Sequence, residues 1–258
     1  MGTKIFYFSS TGNSLYVAKR LAEKLENCEL ISMTKAYNEN MFKYECEKAI
    51  IIFPLHSFGL PIIVDNYISK LNLNKDTYIF AIQVTGGGSS NNSFIRVNEL
   101  LRKNNNPELS NLIEIKYISN YIKSGRNATL KRAQESLDNN EWKIDKLIKT
   151  IEEKQVEEIS INKNIIYSYF YGCWRYKYKN KDKGFNVNDD CIGCKICGKI
   201  CPVNNIDFKD IKPTWNGNCI DCMACINNCP RNAINIGKST IKKSRYRNPY
   251  IKLEELII

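Results

Sequence analysis

The sequence predicts an α/β chain: a doubly wound parallel sheet of five strands, followed by a small α+β module organised by cysteines. Strand-like and helix-like patterns alternate through residues 1–158, the mark of a parallel sheet with crossover helices. Eight of the eleven cysteines crowd into residues 191–229. Those eight form an internal repeat, because Cys191, Cys194, Cys197, Cys201, Pro202 and Ile206 recur 28 residues later as Cys219, Cys222, Cys225, Cys229, Pro230 and Ile234. Asn204 matches Asn232 in the same register. A duplicated unit this short predicts two pseudo-twofold halves sharing one core.

Lys4–Phe8 reads as a buried strand, and a glycine-bearing loop leads from it into a helix over about 13–26. Leu15, Ala18, Leu21, Ala22 and Leu25 line one face of that helix. Further strands are expected at Glu29–Met33, Ala49–Phe53, Tyr78–Val84 and Leu112–Ile118, with helices at about 61–71 and 92–103 between them. A long helical region near 128–156 carries an apolar stripe, and Asn139-Asn140 is placed to break it in two. Residues 159–185 turn polar, basic and rich in Tyr and Trp, as a connector with structure of its own. Residues 186–238 are the cysteine module, and 239–258 a basic tail with an apolar end.

The chain has 258 residues, enough for one full domain plus a smaller module, and its 43% hydrophobic content suits a globular protein. No apolar stretch approaches the ~18 residues of a membrane span, and the first apolar run is too short for a signal-peptide core. The chain therefore reads as cytoplasmic. Its formal charge is +11, unevenly spread: 21 basic and 19 acidic side chains up to residue 158, then 17 and 8. No recognisable nucleic-acid motif accompanies that charge, so a nucleic-acid partner is not expected.

Cysteines crowded into an apparently cytosolic chain favour metal over disulfides. Structural zinc uses two separated pairs, whereas this chain carries C-x2-C-x2-C-x3-C-P twice. That run binds 4Fe–4S clusters and sends its fourth cysteine to the other cluster. One cluster then takes Cys191, Cys194, Cys197 and Cys229, and a second takes Cys219, Cys222, Cys225 and Cys201. Pro202 and Pro230 redirect the chain, Gly193 and Gly198 allow amides near the inorganic sulfides, and Trp215 is placed to shield a cluster. The module resembles bacterial two-cluster ferredoxins. Cys28, Cys46 and Cys173 have no motif around them.

The first strand runs into Ser9-Ser10-Thr11-Gly12-Asn13-Ser14 at a helix N-terminus, where unpaired N–H groups and the helix dipole favour an anion. No Walker lysine follows, and the spacing is not G-x-G-x-x-G. The run resembles the phosphate loop of flavodoxins, [ST]-x-T-G-x-[ST], and that resemblance implies FMN. Two further loops fall at strand ends where flavodoxins contact the flavin ring: Pro54 to Pro61, with His56, Phe58 and Gly59, and Thr85-Gly86-Gly87-Gly88-Ser89-Ser90. The second lacks the aromatic residue many flavodoxins stack on the ring. Taken whole, the chain resembles the flavodoxin–ferredoxin fusion proteins of anaerobic bacteria, and Arg245-Tyr246-Arg247-Asn248-Pro249 is similar to their C-terminal segment.

The resemblance implies an electron-transfer protein relaying electrons between two 4Fe–4S clusters and an FMN, and so linking one-electron carriers to a redox partner. Two other readings stand beside it: an FMN-dependent reductase of a small substrate, or a regulatory protein whose flavodoxin-like half lacks flavin. The absence of a catalytic acid–base pair and of a separate nicotinamide site favours the carrier. With clusters and flavin phosphate the charge falls to about +5, and basic stretches at 159–185 and 239–258 bracket the cluster module. An acidic ferredoxin or a low-potential oxidoreductase is the expected partner. FMN ligands in a separate domain are expected to hold FMN even when the clusters are lost.

Overall fold

The computed structural model describes residues 2–123, 128–177 and 180–258. Five parallel strands, β1 (Thr3–Tyr7), β2 (Cys28–Ser32), β4 (Lys48–Pro54), β6 (Tyr78–Thr85) and β7 (Asn111–Lys116), form one sheet in the order β2-β1-β4-β6-β7. Counting only these strands, the order is 2-1-3-4-5, the flavodoxin-like winding that reverses direction beside the first strand. A short parallel pair, β3 (Lys43–Tyr44) with β5 (Asn72–Leu73), lies apart from it and was not expected from the sequence.

Helices cover both faces. On one side α2 (Met33–Asn38), α3 (Ile62–Ile68) and α4 (Asn92–Lys103) bury Met33, Tyr67 and Val97 against Phe6, Ile51 and Phe53. On the other, α1 (Asn13–Ala22) and α6 (Glu141–Glu152) bury Leu15, Leu21, Ile144 and Ile151 against Ile5, Ile50, Ile52 and Phe80. Successive strand residues point to opposite faces, so odd and even positions divide between two cores. The expected break at Asn139-Asn140 separates α5 (Leu130–Asp138) from α6. Helix α1 ends earlier than its apolar stripe, because Asn27 takes φ 48° to turn into β2.

The connector folds as α7 (Ile165–Gly172) and a π-helical turn over Cys173–Lys177. Tyr171 Oη donates to the Leu60 carbonyl (2.6 Å), and Arg175 pairs with buried Asp65 (3.1 Å), which Arg96 also binds (2.7 Å). Gly59 is a glycine because the Tyr171 ring occupies the place of its side chain: a Cβ there would lie 2.3 Å from the ring.

The cysteine module shows its duplication in the backbone. Two hairpin-like pairs, β8 (Phe185–Val187) with β11 (Ile234–Ile236) and β9 (Ile206–Lys209) with β10 (Lys212–Trp215), flank α8 (Ile196–Lys199) and α9 (Ala224–Asn227). Left-handed residues recur 28 positions apart: Gly193 and Asp221, Lys195 and Met223, Asn204 and Asn232. Trp215 packs on Phe185 with ring centroids 5.2 Å apart, inside this module's own core beside Cys201 and Cys225. The module is not held at a distance from the sheet. Ile200 and Ala224 join the α1-side core, as do Ile251 and Leu256 of the tail, and Ile220 joins the other.

Candidate functional site

The eight cysteines are all free thiols. Cys191, Cys194, Cys197 and Cys229 line one hollow, together with Ile192, Gly193, Ile211 and Arg231. Burial raises the Cys197 thiol to about 12, and the groups whose charge adds to that rise are Cys194, Cys229 and Cys191. Cys225 is likewise raised by burial, with Cys222, Cys219 and Cys201 as its nearest contributors and Cys197 further down. The hollow thus brings Cys229 of the second run beside three cysteines of the first. Such buried thiols hold their protons until a metal displaces them. Gly193 takes φ 66° and has Ile211 2.9 Å from its Cβ position, while the Phe208 ring lies 2.8 Å from that of Gly198. Both glycines therefore serve close packing beside the cysteines.

The three loops at the sheet's C-terminal edge converge. Ser9, Ser10, Thr11, Asn13 and Ser14 share one small hollow with Pro54, His56, Thr85 and Gly86, and Cys222 is part of the same wall. It adjoins a cavity of about 830 Å³ lined by His56, Phe58, Thr85, Gly86, Gly87 and Gly88. Two expected residues stand elsewhere. Gly12 and Gly59 line neither space: Gly12 faces Asn248 and Ile251, and Gly59 faces Tyr171. Gly12 is needed for its backbone conformation (φ 102°) and for the approach of the tail.

The loop after β4 is strained where it meets the cavity. Ser57 and Phe58 both take positive φ (47° and 66°), and His56 and Gly59 close the turn with reciprocal backbone hydrogen bonds of 3.0 and 2.9 Å. Consecutive positive φ values match the tight hairpin turn, which ordinarily favours Gly or Asn, so Phe58 is held there at a cost. Its ring stacks on Tyr167 at 4.3 Å, and Ser90 Oγ donates to its carbonyl (2.7 Å). His56 lies deep in the wall, where burial pushes its pKa down to about 4 against the opposing charge of Asp221. It is a neutral imidazole at pH 7, and among the described residues its buried Nδ1 has no hydrogen-bond partner, while the buried Ser10 hydroxyl faces the Cys222 thiol. An orphaned polar atom such as Nδ1 awaits a ligand or water.

Several cavity residues come from places that sequence reasoning passed over. Trp174, from the π-helical turn, sits edge-on to His56 (6.2 Å) and donates from Nε1 to Asp221 (3.3 Å). Tyr121 Oη donates to the same carboxylate at 2.8 Å, and Lys123 pairs with it. Asp221 is 4% exposed, takes φ 60°, and stands between Cys219 and Cys222. The aromatic wall missing from the loop at Thr85–Ser90 is thus supplied by Trp174 and Tyr121. For Trp174 the signal in the sequence was the aromatic density of the connector; Tyr121 lies outside the connector and had none.

Residues 190–234 match the family described as the 4Fe-4S dicluster domain. No curated protein matches the chain. Among solved structures it is similar to the rubredoxin oxygen:oxidoreductase of the anaerobe Desulfovibrio gigas, at 14% identity and a TM-score of 0.38 over 59% of this chain. That alignment spans 36% of the Desulfovibrio protein, so the chain matches about a third of its length. A putative flavoprotein from Bacteroides uniformis gives 16% identity and a TM-score of 0.35 over 46% of this chain and 92% of that one. The flavodoxin of Streptococcus pneumonia TIGR4 gives 13% and 0.34 over 57% and 99%. What defines the first half as flavodoxin-like is its strand order. The chain joins a flavodoxin-like sheet to a 4Fe–4S domain. Among the described residues no helix is long and apolar enough to cross a membrane.

Proposed function

We propose that this protein is an electron carrier that holds two 4Fe–4S clusters and one FMN and links one-electron carriers to a redox partner. The observation that carries the reading is the position of Cys222, which belongs to the second cysteine set and also walls both spaces where the flavin loops converge. The residues fit the cofactors. Ser9–Ser14 offers hydroxyls and the first amides of α1 to a phosphate, with Ser10 Oγ buried in the same hollow as Cys222. His56, Phe58 and the Thr85–Gly88 turn border the larger cavity, and Trp174 and Tyr121 close its far side.

Clusters exchange single electrons, whereas a flavin holds one or two, and the pair on one chain joins the two stoichiometries. The protein's part is to fix the geometry and keep water from the buried side. Cys194 is exposed, while Cys222 lies against the cavity, so the two cysteine sets form a series from surface to flavin loops.

Anaerobic purification should yield about eight irons and eight sulfides per chain, with one FMN released by denaturation. In Cys201→Ala the iron should fall by about half, and the surviving cluster should be the one held by Cys191, Cys194, Cys197 and Cys229. Stoichiometric zinc without sulfide, or protein that neither retains nor regains FMN, would sink the reading. Rapid multiple turnover of a small acceptor would replace it with the reductase.

A further inference from the structure

The loop after β1 is held from outside the flavodoxin-like half. A strap over residues 245–251 starts on the cluster module. Arg245 donates to the Ile234 carbonyl (2.9 Å) and to Asn235 Oδ1 (2.8 Å), and the Tyr246 N–H donates to Asn227 Oδ1 (3.0 Å). It ends on the loop. Tyr246 Oη (2.6 Å) and Asn248 Nδ2 (3.0 Å) both donate to Asn13 Oδ1, and the Asn248 N–H donates to the Thr11 carbonyl (2.8 Å). Asn228, between the ligands Cys225 and Cys229, reaches the loop directly and donates from Nδ2 to the Ser10 carbonyl (3.1 Å). Asn228 and Asn248 are 2% and 1% exposed, so these bonds do not exchange freely with water.

These bonds orient the loop's amides. A trans peptide points its carbonyl and the following N–H in opposite directions. Tying the Ser10 carbonyl to Asn228 turns the Thr11 N–H away from the module. Tying the Thr11 carbonyl to Asn248 does the same for Gly12, whose N–H is then met by Ser9 Oγ (3.1 Å). Gly12 admits no side chain, because a Cβ would fall 2.7 Å from that of Asn248. The loop's shape is therefore set by α9 and the strap as much as by its own sequence.

We propose that the phosphate loop is a composite site in which Asn228, Tyr246 and Asn248 are positioning residues, so that loading of the cluster at Cys201, Cys219, Cys222 and Cys225 and binding of FMN strengthen each other. The proposal rests on the reading that FMN binds at this loop. Linkage requires the effect to run both ways: if the cluster tightens FMN, FMN protects the cluster by the same factor. A chain that has lost this cluster then sheds its flavin, contrary to the independence expected of separate domains.

The test titrates FMN and riboflavin, followed by quenching of flavin fluorescence, against three full-length proteins: the cluster-loaded chain, cluster-loaded Asn248→Ala, and the iron-free chain. Asn248→Ala should keep its iron yet bind FMN about tenfold or more weakly, with riboflavin affinity unchanged, because the loss is confined to the phosphate. The iron-free chain should show the same selective loss. Wild-type FMN affinity in both altered proteins overturns the proposal, and so does an equal weakening toward both flavins, which would mark general damage to the fold. If the cluster-loaded chain binds neither flavin, the FMN reading itself has failed, an outcome distinct from the other two.

Discussion

At the scale of single residues, the repeat is most informative where its two copies differ. Gly193 and Asp221 occupy matching left-handed positions, yet only the second carries a side chain. Asp tolerates this conformation better than most residues, so exchanging Asp221 for Gly relieves about 1 kcal/mol of backbone strain. Against that, the exchange removes the carboxylate that Tyr121 Oη, Trp174 Nε1 and Lys123 all bind. Each hydrogen bond to a carboxylate is worth about 1.5–3 kcal/mol. The second effect wins. Asp221→Gly should lower the urea midpoint of the protein despite restoring the residue of the first repeat. A variant as stable as the parent, or more so, would show that the carboxylate's three partners find others.

At the scale of elements, the connector is a docked helix, and Tyr171 is one of the rings that hold it. Tyr171 fills the space over Gly59, donates to the Leu60 carbonyl and accepts from Arg175 Nη1 (2.9 Å). Tyr171→Ala removes a half-buried ring and two hydrogen bonds and should cost about 1–3 kcal/mol. Hydrogen exchange should then quicken at the His56 and Gly59 amides, whose turn lies beneath the ring. Unchanged protection there would mean that the turn is rigid without α7. This element also marks what the sequence could disclose. The five strands and the break at Asn139-Asn140 are legible because each depends on neighbours within a few residues. The fit of Tyr171 on Gly59, of Asn248 on Thr11 and of Asp221 beside His56 joins positions more than 100 apart. Glycine at 12 and 59 signalled a close approach, but not by whom. The sequence showed the tail's charge and its apolar end, but not that Tyr246, Asn248, Ile251 and Leu256 are all buried.

At the scale of the whole molecule, part of the charge in the two basic stretches is committed within the protein. The tail is pinned across the phosphate loop, and Arg175 of the connector is spent on Asp65. Around the hollow of the first cysteine set, by contrast, Lys195 and Arg231 are exposed beside Ile192 and Ile211, which are 60% and 55% exposed. An apolar patch rimmed by cations over the outermost cysteines suits an acidic protein donor. Such steering raises encounter rates and weakens as salt shortens the Debye length to about 3 Å at 1 M. Replacing both Lys195 and Arg231 by Glu should leave the iron content intact and slow reduction by an acidic ferredoxin about tenfold or more in stopped flow at low salt. The deficit should shrink as salt is raised, because it acts on encounter, and reduction by a small uncharged reductant should proceed at the parent's rate. If the double variant accepts electrons from the protein donor as fast as the parent at low salt, donors dock elsewhere, and the series from Cys194 inward to Cys222 is not the path by which they enter.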